Sequence, residues 1–325
     1  MEAQLVSTLP TGEGWQYEPK WDGFRGILEN VRGDLALWSR NARPLLRYFP
    51  ELRPLGERLP PRSALDGEIV IEQDGRLEFD ALQMRLHPAE SRINRLAVEI
   101  PARYVVFDLL LWDGDDVWRL PLEERRRRLD ALAFDRSPRT TDPAEAGIWL
   151  ERLEVAGFDG VIAKRVGEPY RPGSREAVVK VKRHQSADCV VIGLRWAEKG
   201  ERIATLLLGL YDGPSELRYV GTAAVAPARH AEIAALVEPL LDAAPERRFS
   251  EPNRWGSGEL AEAAVRPELV VEVRYDKWQG MRFRHGTRLL RFRPDKEPAQ
   301  CTVDQVRPRP KRGDPTVAGL LGSPS

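Results

Sequence analysis

The chain is 325 residues long, 42% hydrophobic and 31% charged, with 50 basic and 50 acidic side chains and no formal net charge. It is long enough for a sizeable core and two domains, and its charge balance excludes a molecule-wide field advertising a nucleic-acid partner, so any basic surface has to be local. Two distant cysteines, Cys189 and Cys301, with neither CxxC nor HExxH, exclude a disulfide framework and a standard zinc motif. No apolar run nears the ~18 residues of a membrane span and residues 1–11 carry no secretory signal, so a reducing cytoplasm is the expected compartment.

In chain order, the first informative stretch is Glu18-Pro19-Lys20-Trp21-Asp22-Gly23-Phe24-Arg25. It sets one lysine between carboxylates two residues before and two after, and its Asp-Gly pair signals a tight turn. On an extended segment Glu18, Lys20 and Asp22 point to one face and share a pocket. Taken alone, such a lysine is more often a structural ion pair than a nucleophile. Short strands at 15–17 and 24–29 flank it, followed by strands at 35–39, 64–72 and 103–112, with a hairpin turn at Gln73-Asp74-Gly75-Arg76.

A helix is expected over 121–134, with Pro at its first turn. Its basic run, Arg125 to Arg128, reads as a solvated face, the alternative being a DNA-facing one. A second helix at 143–156 leads into Asp159-Gly160-Val161-Ile162-Ala163-Lys164, and a strand covers 177–182. The texture changes after His184, and the boundary is placed near His184–Ala187. Strands at 188–194, 203–211, 217–222 and 269–275, with a helix at 227–241, suit a small β-barrel such as an OB-fold. Arg282, Arg284, Arg288 and Arg291 alternate along a strand or hairpin and suit a phosphate-tracking or a solvated face equally. Trp21, Trp196, Trp255 and Trp278 read as packing. The fold expected is α+β: a domain of antiparallel sheets over 1–186, a barrel over 187–306 and a flexible Pro/Gly-rich tail over 307–325.

Six charged residues stand at the ends of the first domain's apolar strands: Lys20, Glu68, Asp159, Lys164, Lys180 and Lys182. Converging lysines need an anion, which a polyphosphate supplies, and two carboxylates near phosphate oxygens suit a divalent ion such as Mg²⁺. Neighbouring cations lower a lysine's proton affinity, which a nucleophilic lysine requires. With no GxxxxGK[ST] and no GxGxxG, the phosphates would be bound by side chains.

Lys20-Trp21-Asp22-Gly23-Phe24-Arg25 resembles the KxDGxR motif of covalent nucleotidyltransferases: DNA ligases, RNA ligases and mRNA capping enzymes. Ser39-Arg40-Asn41, Asp66-Gly67-Glu68, Val105-Val106-Phe107-Asp108, Asp159 to Lys164, Val179-Lys180-Val181-Lys182 and Arg291-Phe292-Arg293-Pro294-Asp295-Lys296 resemble the later motifs, in the family's order. The series is most similar to ATP-dependent DNA ligases of the short bacterial type, LigC, and to the ligase module of LigD. The resemblance implies a nucleotidyltransferase (adenylation) domain and an OB-fold, with ATP and Mg²⁺ or Mn²⁺ as cofactors and Lys20 as the adenylated nucleophile. It implies that Glu18 seats the adenine, Phe107 stacks on it, and Arg25 and Arg40 meet ribose or phosphate. Glu68 and Asp159 would hold ribose or metal, Lys164, Lys180 and Lys182 the α-phosphate, and Arg293, Asp295 and Lys296 would orient pyrophosphate as the domains close. It further implies nicked duplex DNA as substrate, a DNA-repair role with an end-binding partner such as Ku, no membrane, and action as a monomer. Two departures stand out: Ala42 where the family has glycine, so that the loop would sit differently, and Asp159 where many relatives have Glu. An RNA ligase or capping guanylyltransferase, and a catalytically idle nucleic-acid-binding module, are the alternatives.

Overall fold

The structure, a computed structural model, describes residues 1–183, 185–197, 202–242 and 262–321; His184 and Trp255 lie outside these residues. The chain divides into two compact units, Met1–Arg183 with Arg309–Ser325, and His184–Pro308.

In the first unit, β1 (Gln4–Val6), β2 (Trp15–Pro19), β3 (Phe24–Val31), β4 (Asp34–Ser39), β5 (Ser63–Gln73), β6 (Arg76–Leu77), β7 (Ala102–Leu111), β8 (Val161–Arg165) and β9 (Val178–Val181) make two sheets. One runs β4-β3-β5, with β6 and β7 both on β5, and the other runs β1-β9-β8-β2. Apart from parallel β1–β9, the pairings are antiparallel. Strand alternation sorts the side chains between two cores. On β5, Leu65, Ile69 and Ile71 join Leu28, Leu37, Phe49 and Val106 in one core. Val70 points the other way, into a second core with Tyr17, Val105, Val161 and Ala163. Asp66 and Glu68 share Val70's face but line a cleft instead of packing.

The helices of this unit are α1 (Phe79–Arg85), α2 (Glu90–Glu99), α3 (Leu122–Asp130) and α4 (Pro143–Arg152). Helix α3 corrects the reading of the basic run. Leu122, Arg125, Arg126 and Leu129 are its buried residues, an i, i+3, i+4, i+7 stripe in which two arginines occupy core positions. Arg127 and Arg128 alone take the solvated face, paired with Glu124.

In the second unit, β10 (Gln185–Trp196), β11 (Ile203–Tyr211), β12 (Leu217–Ala224), β13 (Glu262–Ala264), β14 (Val270–Tyr275), β15 (Trp278–Gln279), β16 (Arg282–Phe283) and β17 (Thr287–Phe292) accompany helix α5 (His230–Val237). The ladder passes from β10 to β11, β12, β17, β14 and back to β10, so five strands close on themselves. β12–β17 is parallel and the other ring pairings antiparallel, the connectivity of an OB-fold. Cys189 and Cys301 are free thiols buried in its core.

The expected flexible tail is corrected over residues 309–321. Arg152 Nε and Nη2 donate to Asp314 at 3.0 and 2.8 Å. The short helix α6 (Val317–Leu321) buries Val317 fully in the core holding Tyr17 and Trp149, with Leu320 and Leu321 packed against it. Those apolar residues at i, i+3 and i+4 outweigh the Pro and Gly content before them.

Candidate active site

The two sheets of the first unit enclose a cleft of about 1120 Å³. Parity along the strands delivers its charges. Glu18 on β2 and Lys20 just beyond it, Ile162 and Lys164 on β8, and Val178 and Lys180 on β9 line one wall; Arg25, Asp66, Glu68 and Phe107 line the other. Of the three charges expected to share a face, Asp22 is buried and does not line the cleft.

Lys20 is clamped by its backbone. Its N–H donates to Gly160 O and its carbonyl accepts from Asp159 N–H, both at 2.9 Å, extending the β2–β8 ladder past Pro19 and Val161. Gly160 has φ +118°, and a Cβ there would meet Val181 O at 2.1 Å, so the position admits no side chain. Gly23 is equally constrained, with Ile69 O 2.1 Å from where a Cβ would stand. The clamp sets Lys20 Nζ 2.5 Å from Asp159 Oδ2, and Lys182 Nζ reaches the same oxygen at 2.9 Å. Burial works against ionisation of Asp159, but Lys20 and Lys182 outweigh it and hold the carboxyl below its ordinary value. Burial, with Lys20 and Lys182 nearby, pulls the Lys180 ammonium below its ordinary value.

Glu18 is buried and accepts from Lys164 Nζ (2.9 Å) and Gln16 Nε2 (2.8 Å). Lys164 Nζ also donates to Phe107 O (3.3 Å) and stands 4.8 Å from the Phe107 ring centroid. Phe107 sits at a β-bulge: Asp66 pairs with Asp108 and Gly67 with Val106, leaving Phe107 as the extra residue. Opposite, Arg25 holds Asp66 through Nε and Nη2 (3.0 and 2.6 Å), and Tyr170 OH donates to Asp66 Oδ2 at 2.8 Å. Glu68 pairs across from Arg25; burial pushes its carboxyl up to about 8, against the pull of Lys20 and Arg25. Arg40 lies at the exposed rim on Glu2 (2.7 Å). Beside it, Ala42 has φ +53°, the left-handed region that favours glycine, so the backbone here bears a strain that a glycine would not.

The barrel residues form their own cluster. Arg293 Nη1 donates to both oxygens of Asp188 (2.9 and 3.1 Å), its Nε and Nη2 bind Asp295 (2.9 and 2.8 Å), and Lys296 Nζ reaches Asp188 at 2.6 Å. Asp188 was missed in the sequence, as were Asp66 and Tyr170. Asp188 opens an apolar strand run much as Lys20 closes one, and that was its signal; Tyr170, in a turn-rich stretch, offered none.

The family model described as "ATP dependent DNA ligase domain" matches residues 3–182, and that described as "ATP dependent DNA ligase C terminal region" matches 199–296. The chain is 44% identical over 325 residues to DNA ligase C1 of Mycolicibacterium smegmatis, covering 94% of this chain and 92% of that protein. It is 41% identical over 334 residues to DNA ligase C of Mycobacterium tuberculosis, covering 94% and 92%. A solved structure titled as a structure-function analysis of Lig E DNA ligases superposes with a TM-score of 0.55 over 90% of this chain and 100% of that one; at 16% identity this bears on fold alone. The cleft and barrel described above are thus those of a chain that belongs to the ATP-dependent DNA ligases.

Proposed function

We propose that the protein seals 5′-phosphate/3′-hydroxyl nicks in duplex DNA through a covalent lysyl-AMP at Lys20. The observation that carries this reading is the clamped Lys20 amine in a cleft with Lys164, Lys180, Glu18, Glu68 and Phe107, and with Lys182 on the same Asp159. Lys20 Nζ, freed of its proton and of the ion pair with Asp159, attacks the α-phosphorus of ATP. A P–N bond forms as the bond to pyrophosphate breaks. The AMP then passes to the 5′-phosphate at the nick, and the 3′-hydroxyl displaces it, forming the phosphodiester.

Phe107 stacks on the adenine, Glu18 seats it, and Arg25 and Arg40 meet ribose or phosphate. Lys164, Lys180 and Lys182 neutralise the charge that grows on the α-phosphate. Arg293, Asp295 and Lys296 orient the leaving pyrophosphate when the barrel closes over the cleft. Glu68 and Asp159 would hold Mg²⁺ or Mn²⁺. Among the described residues no three His, Cys, Asp or Glu side chains gather into a ligand set. A shell completed by phosphate oxygens and water suits such an ion, which supplies charge stabilisation at phosphorus when bound. Local basic surface binds nicked duplex DNA with an affinity that falls as salt rises. On the resemblance to LigD, the pathway is DNA repair, the enzyme acts as a monomer, and an end-binding protein such as Ku is the partner; no helix among the described residues is long and apolar enough to cross a membrane.

The test is incubation with α-labelled ATP or GTP and Mg²⁺ or Mn²⁺, comparing wild type with Lys20→Ala. Acid-stable, pyrophosphate-reversible label from ATP, absent in the variant, supports the reading, and nick sealing is then assayed. Label from GTP alone would move the assignment to a capping-type enzyme, and no label from either would leave a binding module.

A further inference from the structure

Next to Glu18 of one wall and Phe107 of the other stands a side chain that does not itself line the cleft. Arg126, 1% exposed, projects from the buried stripe of α3. Its Nη1 donates to Phe107 O at 3.1 Å, sharing that carbonyl with Lys164, and its Nη2 donates to Ser137 O at 2.8 Å. Nη1 also lies 3.9 Å from Glu18 Oε1, the oxygen that Lys164 Nζ approaches at 2.9 Å, so both cations face the Glu18 carboxylate. Ser137 in turn accepts from Trp21 Nε1 through its Oγ at 2.9 Å, which joins the same guanidinium to the residue after Lys20.

The contacts of Arg126 are directional. One planar group holds the carbonyl of the bulged residue, a carbonyl beside Trp21 and the neighbourhood of one carboxylate at fixed mutual distances. Its Nε is buried and finds no hydrogen-bond partner among the described residues. An apolar side chain of similar length would fill the space without an unpaired Nε, but it would remove this donor from Ser137 O and one of the two donors from Phe107 O. The groups it approaches are the Phe107 carbonyl and, at 3.9 Å, the Glu18 carboxylate, both on residues that line the cleft.

We propose that Arg126 is a positioning residue for base recognition, fixing the Phe107 carbonyl and the Glu18 carboxylate so that the cleft accepts adenine in preference to guanine. This rests on the reading above that Phe107 and Glu18 seat the base. An error in their placement weakens nucleotide binding before it affects the chemistry at Lys20.

The test measures Lys20 labelling from α-labelled ATP and α-labelled GTP, with Mg²⁺, for wild type, Arg126→Met, Arg126→Lys and the exposed-neighbour control Arg127→Met. Arg126→Met is expected to raise KM for ATP by about tenfold or more, to change the maximal rate by less than about threefold, and to narrow the preference for ATP over GTP. Arg126→Lys, which keeps a charge beside Glu18 and can reach one carbonyl, recovers part of the loss, and Arg127→Met matches wild type. A folded Arg126→Met protein with wild-type KM and nucleotide preference overturns the proposal, as does a loss confined to the maximal rate. Should that variant fail to fold, the same two readings on Arg126→Lys decide. A wild-type protein that takes label from neither nucleotide would bring down the assignment of Lys20, and this proposal with it, before any variant is compared.

Discussion

Replacing Arg125 by methionine should be one of the most damaging changes on α3, although Arg125 begins a run of four arginines. Arg125 is fully buried, and its Nε and Nη2 donate to the two oxygens of Asp108 at 2.7 and 3.0 Å. Its Nη1 donates to Leu120 O and Glu168 O at 2.7 and 3.1 Å. Methionine fills much of the volume but leaves Asp108, itself 1% exposed, with a single backbone donor at Leu109 N (3.0 Å). Two hydrogen bonds to a charged group, at roughly 1.5–3 kcal/mol each, agree with the about 3–5 kcal/mol seen when one partner of a buried pair is removed. Removing the stranded charge as well, in Arg125→Met with Asp108→Leu, should recover more than half of that loss. Urea unfolding followed by circular dichroism measures both midpoint and slope for the variants, with Arg127→Met as an exposed control expected within about 0.5 kcal/mol of wild type. A loss below about 1 kcal/mol for Arg125→Met, which is what a solvated arginine shows, would refute the buried-pair account. So would a double variant no more stable than the single one.

Gly160→Ala should lose about 3 kcal/mol or more, combining backbone strain with the clash on Val181 O, and should slow Lys20 labelling at least about tenfold because the clamp moves; thermal unfolding and labelling rate check the two parts. Ala42→Gly should stabilise by roughly 0.5 kcal/mol, the relief at φ +53° exceeding the added freedom of the unfolded chain, read as a small rise in Tm. In metal-free protein, Glu68 keeps its proton in the folded state up to about pH 8 and loses it near 4.5 once unfolded, so it favours the fold least at high pH. Wild-type stability should therefore fall relative to Glu68→Gln as pH rises from about 4.5 to about 8 and run parallel above that, which urea midpoints at several pH values would show. Val317→Asp should expel α6 from its apolar seat and open the Lys311–Arg312 segment to trypsin, with tail cleavage at least about tenfold faster than in wild type.

What was legible in the sequence followed from charges standing where apolar strands end. Lys20, Lys164 and Lys180 could be placed in one cleft because alternation puts every second residue on one face, and the strands carrying them are short and regular. The barrel strands were legible for the same reason, with 203–211 matching β11 residue for residue. Arg125 and Arg126 were misread because a run of four arginines looks polar all round. The better signal was their spacing from Leu122 and Leu129, which places them on the apolar stripe. The tail was misread because composition was weighed over Val317, Leu320 and Leu321. Asp188 went unassigned because its partners, Arg293 and Lys296, lie more than a hundred residues away and meet it only through β-strand closure.

The bulge at Phe107 is the feature that pattern reading could not reach, and the cleft depends on it. Phe107 and Asp108 are consecutive, yet both line the cleft. Regular alternation forbids that, because one of the two must face the opposite core. The extra residue in β7 shifts the register by one, so Asp108 keeps the face of its partner Asp66 while Phe107 projects toward Lys164 and Arg25. The shift takes the Phe107 carbonyl out of regular pairing with β5, its only strand partner among the described residues, at a partly buried position where an unpartnered acceptor is costly. Lys164 from β8 and Arg126 from α3 supply the donors, and Arg125 meets the carboxylate of the next residue. The two buried arginines and the aromatic wall are therefore one construction: the helix that looked like a charged surface feature is what lets the strand carry two adjacent residues into the same site.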